Sequence, residues 1–347
     1  MPLVAVVLPV RNRAVMVGEA IASVLAQTLR DFALVVVDDG SSDDSAYAAA
    51  RALATTPARV ACSSSATGTR ASDPEHPTAR GDGVAVPTRI LRTPWRGVAA
   101  ARNTGATAID SRWIAFLDSD DLWMPRKLER QMAWLAARPA YRMAQTEERW
   151  IDRGRHRNAR AWHRKEERLF ARSLERCLVS PSAVVIRRDL WNESGGFDES
   201  FPLCEDYELW LRLTLGEPVG LIPEALVVKR GGHPDQLSRS TWGLDRFRVA
   251  ALVKLLAGVW LDDAARSATV RVLHAKCGLL AAGAARRGRH AEAERYRRLA
   301  NWGTEIARAA AGVFAMGAGG ARRADGISTT TCGHDACAGS NGCASGV

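Results

Sequence analysis

The stretch Trp113-Ile-Ala-Phe-Leu-Asp-Ser-Asp-Asp-Leu-Trp-Met-Pro125 decides how this chain folds. A short apolar run ends abruptly in three carboxylates within four residues, and a proline follows. A continuous apolar run of this length predicts a fully buried strand, because the strands of a parallel sheet are covered on both faces. Carboxylates at the carboxyl end of such a strand lie where open α/β sheets bind their ligands.

The three carboxylates belong to Asp118, Asp120 and Asp121. Like charges this close repel one another unless a cation lies among them, and hard oxygen ligands suit Mg²⁺ or Mn²⁺. We therefore expect a divalent cation among these three carboxylates. The alternative is an acidic strand-to-helix turn, with Asp121 as the candidate cap of the helix that begins at Pro125.

The preceding chain predicts a parallel sheet. Residues 3–8 and 32–37 are apolar runs typical of buried strands, and residues 15–29 between them have helical spacing. Strand, helix, strand at this interval is a βαβ unit, which joins parallel strands. A third strand is expected over residues 84–91, followed by an alanine-rich helix after Arg96. The fold class is therefore α/β, with a mixed, mainly parallel sheet flanked by helices.

Acidic residues also end the second strand, in the sequence Asp38-Asp39-Gly40. Asp38 or Asp39 could accept hydrogen bonds from ribose hydroxyls or from a base N–H, and Asp39 is favoured, although Asp-Asp-Gly-Ser is also good turn chemistry. The turn after the first strand, residues 9–13, contains no Gly-x-Gly-x-x-Gly. This absence argues against a dinucleotide-dependent dehydrogenase.

Later segments add charged candidates. Arg102, in the alanine-rich helix, either faces a nucleotide or pairs with a strand-end carboxylate. Glu205 and Asp206 open a helix with a buried apolar face, where acids are often only partners of the helix dipole. A carboxylate held at a helix N-terminus beside a metal site can also act as a general base.

A late strand ends in Lys229 and Arg230, followed by two glycines and His233. The two cations could meet a diphosphate, and the histidine could be a metal ligand, although a lone histidine is more often structural. The charge-dense segment 147–176 either extends over the site on the side where an acceptor substrate would bind, or is a solvent-exposed face. The second interpretation is favoured.

The chain has 347 residues and a formal net charge of +10. From Lys229 to Arg323 there are 18 Lys and Arg against 7 Asp and Glu, which favours an anionic neighbour or a solvated basic face. We expect a main domain over residues 1–240 with a loop insertion at 55–83. A helical extension over 241–316 and a disordered Cys-, Ser- and Gly-rich tail over 317–347 follow.

Composition also bears on the compartment. No run of about 18 apolar residues is present, so no transmembrane helix is predicted, and the start of the sequence lacks the basic region of a signal peptide. Seven cysteines, an odd number, suit a reducing compartment. A cytoplasmic protein is expected, with peripheral contact between its basic helices and the inner face of an anionic membrane as an option.

Taken together, six motifs resemble glycosyltransferase family 2, whose members have the GT-A nucleotide-sugar-binding fold. They occur in the family's order and span residues 3–235. Each motif is weak alone, but six at compatible spacing are a strong signal. The motifs are Val7-Leu-Pro-Val-Arg-Asn12, Val37-Asp-Asp-Gly-Ser-Ser-Asp43, Ala101-Arg-Asn-Thr-Gly105, Phe116-Leu-Asp-Ser-Asp-Asp121, Gly195-Gly-Phe-Asp198 and Glu205-Asp206.

The resemblance implies an inverting transfer of a sugar from a nucleoside diphosphate donor to an acceptor hydroxyl, assisted by Mn²⁺ or Mg²⁺. By similarity, Val10 and Asp39 hold the nucleoside, Asp118 lies near the ribose, Asp120 binds the metal and Asp206 is the catalytic base. A UDP-sugar is the favoured donor, a glycan, lipid-linked or protein acceptor is expected in envelope or surface glycan synthesis, and no nucleic-acid partner is expected. The predicted substrate-binding residues are Pro9, Val10, Arg11, Asp39, Arg102, Asp118, Glu205, Lys229 and Arg230, and the predicted metal ligands are Asp118, Asp120 and His233.

Two departures from the family pattern matter. Many relatives carry Tyr or Phe in the first turn, where it packs on the base, whereas Arg11 stands here and leaves the identity of the base open. The Gln-x-x-Arg-Trp signature of processive members is absent, so a non-processive enzyme is expected. The alternatives are a nucleotidyltransferase of related fold, which would carry a glycine-rich loop after the first strand, and a non-catalytic protein that binds anions through its basic helices.

Overall fold

The computed structural model describes residues 1–55, 86–158, 163–233, 236 and 243–319, with side chains of the last helix to Ile306. Residues 1–307 form one compact unit. Residues 308–347 form a second, of which only the continuation of a helix to Gly319 is described. The predicted loop insertion beyond Thr55 and the predicted tail beyond Gly319 therefore lie outside the described residues.

Strands and helices alternate along the described part of the chain. The strands are β1 (Val4–Val10), β2 (Phe32–Asp39), β3 (Thr88–Thr93), β4 (Trp113–Phe116), β5 (Leu122–Trp123), β6 (Met143–Asp152), β7 (Arg155–Arg157), β8 (Val184–Arg187) and β9 (Gly220–Gly231). The helices are α1 (Val17–Leu25), α2 (Ser45–Thr55), α3 (Val98–Ala108), α4 (Lys127–Ala136), α5 (Phe170–Ser173), α6 (Arg188–Ser194), α7 (Glu205–Gly216), α8 (Asp245–Gly258), α9 (Asp263–Arg286) and α10 (His290–Gly319).

These strands form one sheet in the order β3-β2-β1-β4-β8-β6-β9-β5, with β7 paired to β6. β1 runs parallel to β2 and β4, and β2 runs parallel to β3, so four carboxyl ends meet along one edge. β8 is antiparallel to β4 and β6, and β6 then runs parallel to β9. The predicted α/β fold with a mixed, mainly parallel sheet is confirmed.

Alternate residues of β1 enter two hydrophobic layers, because successive side chains of a strand point to opposite faces. Val6 and Leu8 belong to the same apolar cluster as Ile21 of α1. Val7 belongs to a second cluster on the other face, together with Ala106 of α3. Both faces are therefore covered, which explains why β1 and β2 are continuous runs of buried residues rather than alternating ones.

Small residues let α3 lie directly on the sheet. A Cβ added at Gly105 would lie 2.4 Å from Val7 Cγ1 and 3.1 Å from Val37 Cγ2, so no larger residue fits without a shift of the sheet or the helix. This close approach places Arg102, one turn earlier in α3, within hydrogen-bond distance of Asp118 at the end of β4.

The main departure from expectation is β6. The interpretation of residues 147–176 as a solvated face is wrong for their first part, because β6 lies in the sheet between β8 and β9. β6 shifts register against β9 on both sides of Glu147. An irregularity of this kind removes the period-2 pattern by which a strand is identified in a sequence. The predicted third strand is present as β3, which ends two residues later than expected.

Helices α8, α9 and α10 pack against α7 through a separate apolar cluster. Tyr207 and Leu211 of α7 share this cluster with Leu252, Leu255 and Tyr296 from the C-terminal helices. These apolar contacts fix the position of the start of α7. Within the described residues, no helix is both long and apolar enough to span a membrane.

Candidate active site

The carboxyl edge of the sheet opens into a cavity of about 730 Å³. Its walls come from the ends of β1, β2, β4 and β9, from α3 and from the first turn of α7. Every predicted site residue except His233 lines it, although their roles in binding and catalysis stay predictions. The lining residues that the sequence predicts are Pro9, Val10, Arg11, Asp39, Arg102, Asp118, Asp120, Glu205, Asp206, Lys229 and Arg230.

One guanidinium joins the two acidic segments of this cavity. Arg102 Nη1 donates to Glu205 Oε1 at 2.6 Å, and Arg102 Nη2 donates to Asp118 Oδ1 at 2.7 Å. Arg102 is 4% exposed, and its guanidinium carbon lies 5.1 Å from the centre of the Phe197 ring. Of the two expectations for Arg102, the one observed is pairing with a strand-end carboxylate.

Burial and pairing act in opposite directions on these carboxylates. Burial raises the pKa of Glu205 to about 7, although the nearby Arg102 charge lowers it. Burial also tends to raise the pKa of Asp118, but the charges of Arg102 and Lys229 outweigh it and hold that pKa below its ordinary value. Glu205 therefore depends on Arg102, because a buried carboxylate without a cation is unstable as an ion.

Asp121 does not cap a helix. Its Oδ2 accepts hydrogen bonds from Ser182 Oγ at 2.6 Å and from Lys229 Nζ at 2.7 Å. Its Oδ1 accepts from the backbone N–H of Arg230 at 3.1 Å. The interpretation as a cap is wrong, because α4 begins without a side-chain cap and the Asp121 carboxylate instead ties the segment after β4 to the end of β9.

A divalent metal fits beside the strand-end acids. Carboxylate oxygens of Asp118, Asp120 and Asp121 lie within 4.8 Å of one another. Asp121 is buried and accepts three hydrogen bonds, whereas the side chains of Asp118 and Asp120 are 24% and 21% exposed, so these two are the more open to a cation. His233 Nε2 lies 3.0 Å from Asp120 Oδ2. Carboxylate oxygens suit Mn²⁺ or Mg²⁺, and Asp118 and Asp120, with His233 beside them, are the residues that would hold it.

Asp39 anchors the segment that precedes α3. Its Oδ1 accepts from the backbone N–H of Arg96 at 2.9 Å, and its Oδ2 accepts from that of Gly97 at 2.8 Å. A carboxylate has about four lone-pair sites, so a ligand hydroxyl or N–H can still donate to Asp39. The predicted contact between Asp39 and a nucleoside is therefore compatible with its structural role.

Asp206 lies beside Glu205 in the first turn of α7. Its Oδ1 accepts from the backbone N–H of Tyr207 at 2.7 Å, and its Oδ2 accepts from the Cys177 thiol at 3.3 Å. The residue before the helix, Cys204, has a φ of 62°. Such a left-handed conformation costs roughly 1–3 kcal/mol in a residue other than glycine, and it persists where the surrounding structure holds it, often at functional sites.

Among the residues that the sequence analysis does not identify, three are prominent at the site: Ser182, which contacts Asp121, and Cys177 and Trp95, which line the cavity. Ser182 and Cys177 belong to no motif, and their contacts with the site's carboxylates arise only from folding. Trp95 follows β3 within two residues and lines the cavity. Its position after the carboxyl end of a strand was the available signal, because that edge is where α/β sheets bind ligands.

The fold and the site define an α/β protein with an acidic ligand cavity at the carboxyl edge of its sheet. A family profile described as "Glycosyltransferase like family 2" matches residues 2–229. The chain belongs to this family and is a glycosyltransferase with the GT-A fold. Membership favours sugar transfer over nucleotidyl transfer and over a purely non-catalytic role.

Several known proteins are similar to this chain. The UDP-Glc:alpha-D-GlcNAc-diphosphoundecaprenol beta-1,3-glucosyltransferase WfgD of Escherichia coli is 25% identical over 71% of this chain and 81% of its own length. An uncharacterized glycosyltransferase of Rickettsia felis is 26% identical over 64% of this chain, which covers 32% of that protein. The crystal structure of S. aureus TarS 1–349 in complex with UDP-GlcNAc has a TM-score of 0.55 at 13% identity, covering 86% of this chain and 90% of that one. At that identity the structural likeness supports the fold alone.

Replacing Arg102 tests how far the two acidic segments depend on it. We expect Arg102→Met to lower the free energy of unfolding by about 3–5 kcal/mol, because it leaves Glu205 buried without a cation. Adding Glu205→Gln to that variant should restore part of the loss. Urea denaturation of both variants measures this, with Arg126→Met as the control, because the Arg126–Glu129 pair is exposed and should contribute less than about 1 kcal/mol. A loss for Arg102→Met no larger than that of the control would contradict the expectation.

Proposed function

We propose that this chain transfers a sugar from a nucleoside diphosphate donor, a UDP-sugar in the favoured case, to an acceptor hydroxyl with inversion at the sugar C1. The observation that carries the proposal is the arrangement around Arg102. Its two hydrogen bonds place the strand-end carboxylate Asp118 and the helix-start pair Glu205-Asp206 in one cavity. We then assign metal-diphosphate binding to the wall of the cavity that carries Asp118, and base catalysis to the wall that carries Asp206.

Asp206 is the proposed base. In the reaction the acceptor oxygen bonds to C1, the bond between C1 and the diphosphate oxygen breaks, and the acceptor proton passes to a carboxylate oxygen of Asp206. Both of its oxygens are oriented by donors, one from Tyr207 and one from Cys177. Inversion requires the base and the diphosphate on opposite sides of C1, and we assign them to Asp206 on α7 and to the acids after β4, which line the same cavity.

The diphosphate is assigned to the end of β9. Lys229 Nζ lies 2.7 Å from Asp121 and 3.8 Å from Asp118. Arg230 Nε donates to the carbonyl oxygen of Asp120 at 2.5 Å, while its buried Nη2 has no partner among the described residues. A buried guanidinium donor without a partner is costly, and a phosphate oxygen would satisfy it. A divalent cation held by Asp118 and Asp120 would add Lewis-acid stabilisation of charge on the leaving oxygens.

The acceptor is proposed by analogy with the relatives. The name of the Escherichia coli relative specifies a sugar acceptor on diphosphoundecaprenol, and an amylovoran biosynthesis glycosyltransferase of Erwinia amylovora is 28% identical over 42% of this chain. We infer a lipid-linked glycan acceptor in envelope or surface polysaccharide synthesis, handled non-processively. The enzyme would then work in the cytoplasm beside the membrane.

Asp206→Asn tests the base. The variant should bind UDP with unchanged affinity, because an amide keeps the shape of the side chain, but its turnover should fall by about 10²–10⁴-fold. A screen of UDP- and GDP-sugars for nucleoside diphosphate release, with and without Mn²⁺, first identifies the donor. Calorimetry and the release assay then separate binding from catalysis, with Asp263→Asn as an exposed first-turn control on α9. Turnover within about tenfold of wild type would sink the assignment of Asp206.

Asp120→Ala tests the metal site. Wild type should bind UDP more tightly with Mn²⁺ than with EDTA, and the variant should bind equally in both, because it lacks a carboxylate that would hold the cation. The side chain of Asp120 contacts His233, and the core packing does not depend on it, so the melting temperature without metal should stay near that of wild type. Retained metal dependence in calorimetry would count against this site.

Membrane contact through the C-terminal helices is tested by sedimentation with vesicles. Arg271, Arg286, Arg295 and Arg298 are exposed on α9 and α10. Each basic residue near an anionic surface contributes about 1 kcal/mol, so Arg295→Glu/Arg298→Glu should weaken binding to phosphatidylglycerol vesicles by at least about tenfold. Arg51→Glu on α2 is the control. This contact would be ruled out if the double variant bound phosphatidylglycerol vesicles as tightly as Arg51→Glu. It would also be ruled out if wild type bound neutral vesicles as tightly as anionic ones.

A further inference from the structure

One wall of the cavity lies apart from the residues assigned to the donor, the metal and the base. It comes from the carboxyl-terminal half of β6 and from residues after β7. In the sheet, β1, β4 and β8 separate β6 from β2, whose end carries Asp39. This wall is therefore remote from the predicted nucleoside contact and is available to another part of a substrate. Its lining residues are Glu147, Glu148, Trp150, His163 and Lys165.

An irregularity in β6 turns two successive carboxylates towards the cavity. Successive side chains of a regular strand point to opposite faces, yet Glu147 and Glu148 both line the cavity. The register of β6 against β9 shifts on both sides of Glu147, and such a shift re-aims side chains, often beside an active site. Because carboxylates repel phosphate groups, we expect this wall to meet an uncharged part of a substrate.

The buried carboxylate of Glu148 has hydrogen-bonding capacity that no described residue uses. Its side chain is 5% exposed, and its Oε1 has no hydrogen-bond partner among the described residues. Lys165 Nζ lies 3.6 Å from Oε2, which makes an ion pair but is too long for a hydrogen bond. That Nζ instead donates to the carbonyl oxygen of Thr146 at 2.7 Å. A buried acceptor without a donor is costly, and a hydroxyl group of a ligand would supply the donor.

Trp150 gives the same wall a flat apolar surface. Its ring stacks on that of His163, with 5.3 Å between the ring centres and an angle of 5° between the planes. Trp150 and Glu148 are two residues apart on β6, beyond the register shift, and therefore point to the same face. In the parallel pairing with β9, Trp150 lies opposite Lys229, whose Nζ is 3.8 Å from Asp118 Oδ2. The indole is therefore on the strand next to the cation that faces the strand-end acids.

We propose that Glu148 and Trp150 bind the sugar ring of a saccharide acceptor. A sugar ring is uncharged, its C–H groups pack on an indole, and its hydroxyl groups donate to a carboxylate. Sites for small molecules combine aromatic side chains with a few placed polar groups in this way. The inference rests on the proposed function, in which Asp206 of the same cavity takes the proton of the acceptor hydroxyl. It adds that the acceptor is held by its sugar ring rather than by its lipid or phosphate groups.

Binding of simple methyl glycosides tests this subsite without the natural acceptor. With UDP and Mn²⁺ present, wild type should give saturation-transfer NMR signals from the ring protons of methyl glucoside, galactoside, mannoside or N-acetylglucosaminide. Trp150→Ala should weaken binding of that glycoside by at least about tenfold, because a Trp that lines a pocket contributes strongly. Trp150→Phe should retain most of the affinity, since a smaller ring still offers a flat face. Glu148→Gln should weaken binding by roughly tenfold, because hydrogen bonds to charged groups are the stronger ones.

Trp260→Ala is the matched control, because Trp260 is 75% exposed and does not line the cavity. In every variant the affinity for UDP with Mn²⁺, measured by calorimetry, should stay within about twofold of wild type, as expected for independent sites. Loss of UDP and glycoside binding together would overturn the proposal in favour of a structural role for this wall. Equal glycoside binding by wild type and Trp150→Ala, or no glycoside signal from wild type, would also overturn it.

Competition with the donor separates an acceptor subsite from a donor-sugar subsite. The glycoside should remain bound when the nucleotide sugar identified by the donor screen replaces UDP. Displacement by the intact nucleotide sugar, but not by UDP, would mean that this wall holds the sugar of the donor, and the proposal would be wrong.

The outcome is also separable from that of the proposed function. If a glycoside binds through Trp150 but wild type transfers sugar from no nucleotide sugar, the proposed function fails and the saccharide subsite stands. If wild type transfers sugar to a glycoside and Trp150→Ala does so with an unchanged KM for that glycoside, the proposed function stands and the subsite fails.

Discussion

The site depends on one buried ion pair network centred on Arg102. A guanidinium has its donors in a rigid plane, so one side chain can bond two carboxylates at fixed positions. Here those carboxylates are Glu205 at the start of α7 and Asp118 after β4, 103 and 16 residues away in sequence. Because Arg102 and Glu205 are both buried, with side chains only 5% exposed, separating them would cost free energy, and this holds Arg102 in place. The two walls of the cavity cannot separate without leaving a buried charge unpaired.

A second network of hydrogen bonds and ion pairs neutralises another strand-end carboxylate, Asp121. Lys229 and the backbone of Arg230 bond Asp121, which ties β9 to the segment after β4. Asp121 is thereby engaged on both oxygens and buried, whereas Asp118 and Asp120 are partly exposed and open to a cation. The strand-end acids, which look equivalent in sequence, thus divide into one structural carboxylate and two candidate ligands. Arg102 and Lys229 each bond a carboxylate, and Arg230 bonds the carbonyl oxygen of Asp120, so this part of the site is preorganised, a property that transition-state stabilisation requires.

Sequence patterns were sufficient for the buried strands β1, β2 and β4 and for the helices α1 and α3. These elements follow local rules: unbroken apolar runs for strands covered on both faces, and 3.6-residue spacing for helices. The same rules missed β6, because its register shifts at Glu147 and its side chains carry charge. They also assigned Asp121 to a helix cap, since capping is a local interaction whereas its actual partners lie 61 and more residues away.

The sequence alone determined the family, the order of the strands' acidic ends and a set of site residues of which all but His233 line the cavity, because strand-end position follows from where apolar runs stop. Only the tertiary structure decided which carboxylate meets which cation, that Asp39 also holds the backbone before α3, and that Trp95 lies against Arg11. These contacts join residues from different strands and helices. Their geometry depends on the order of the strands in the sheet and on the close packing of α3 at Gly105. Neither feature can be predicted from the local sequence.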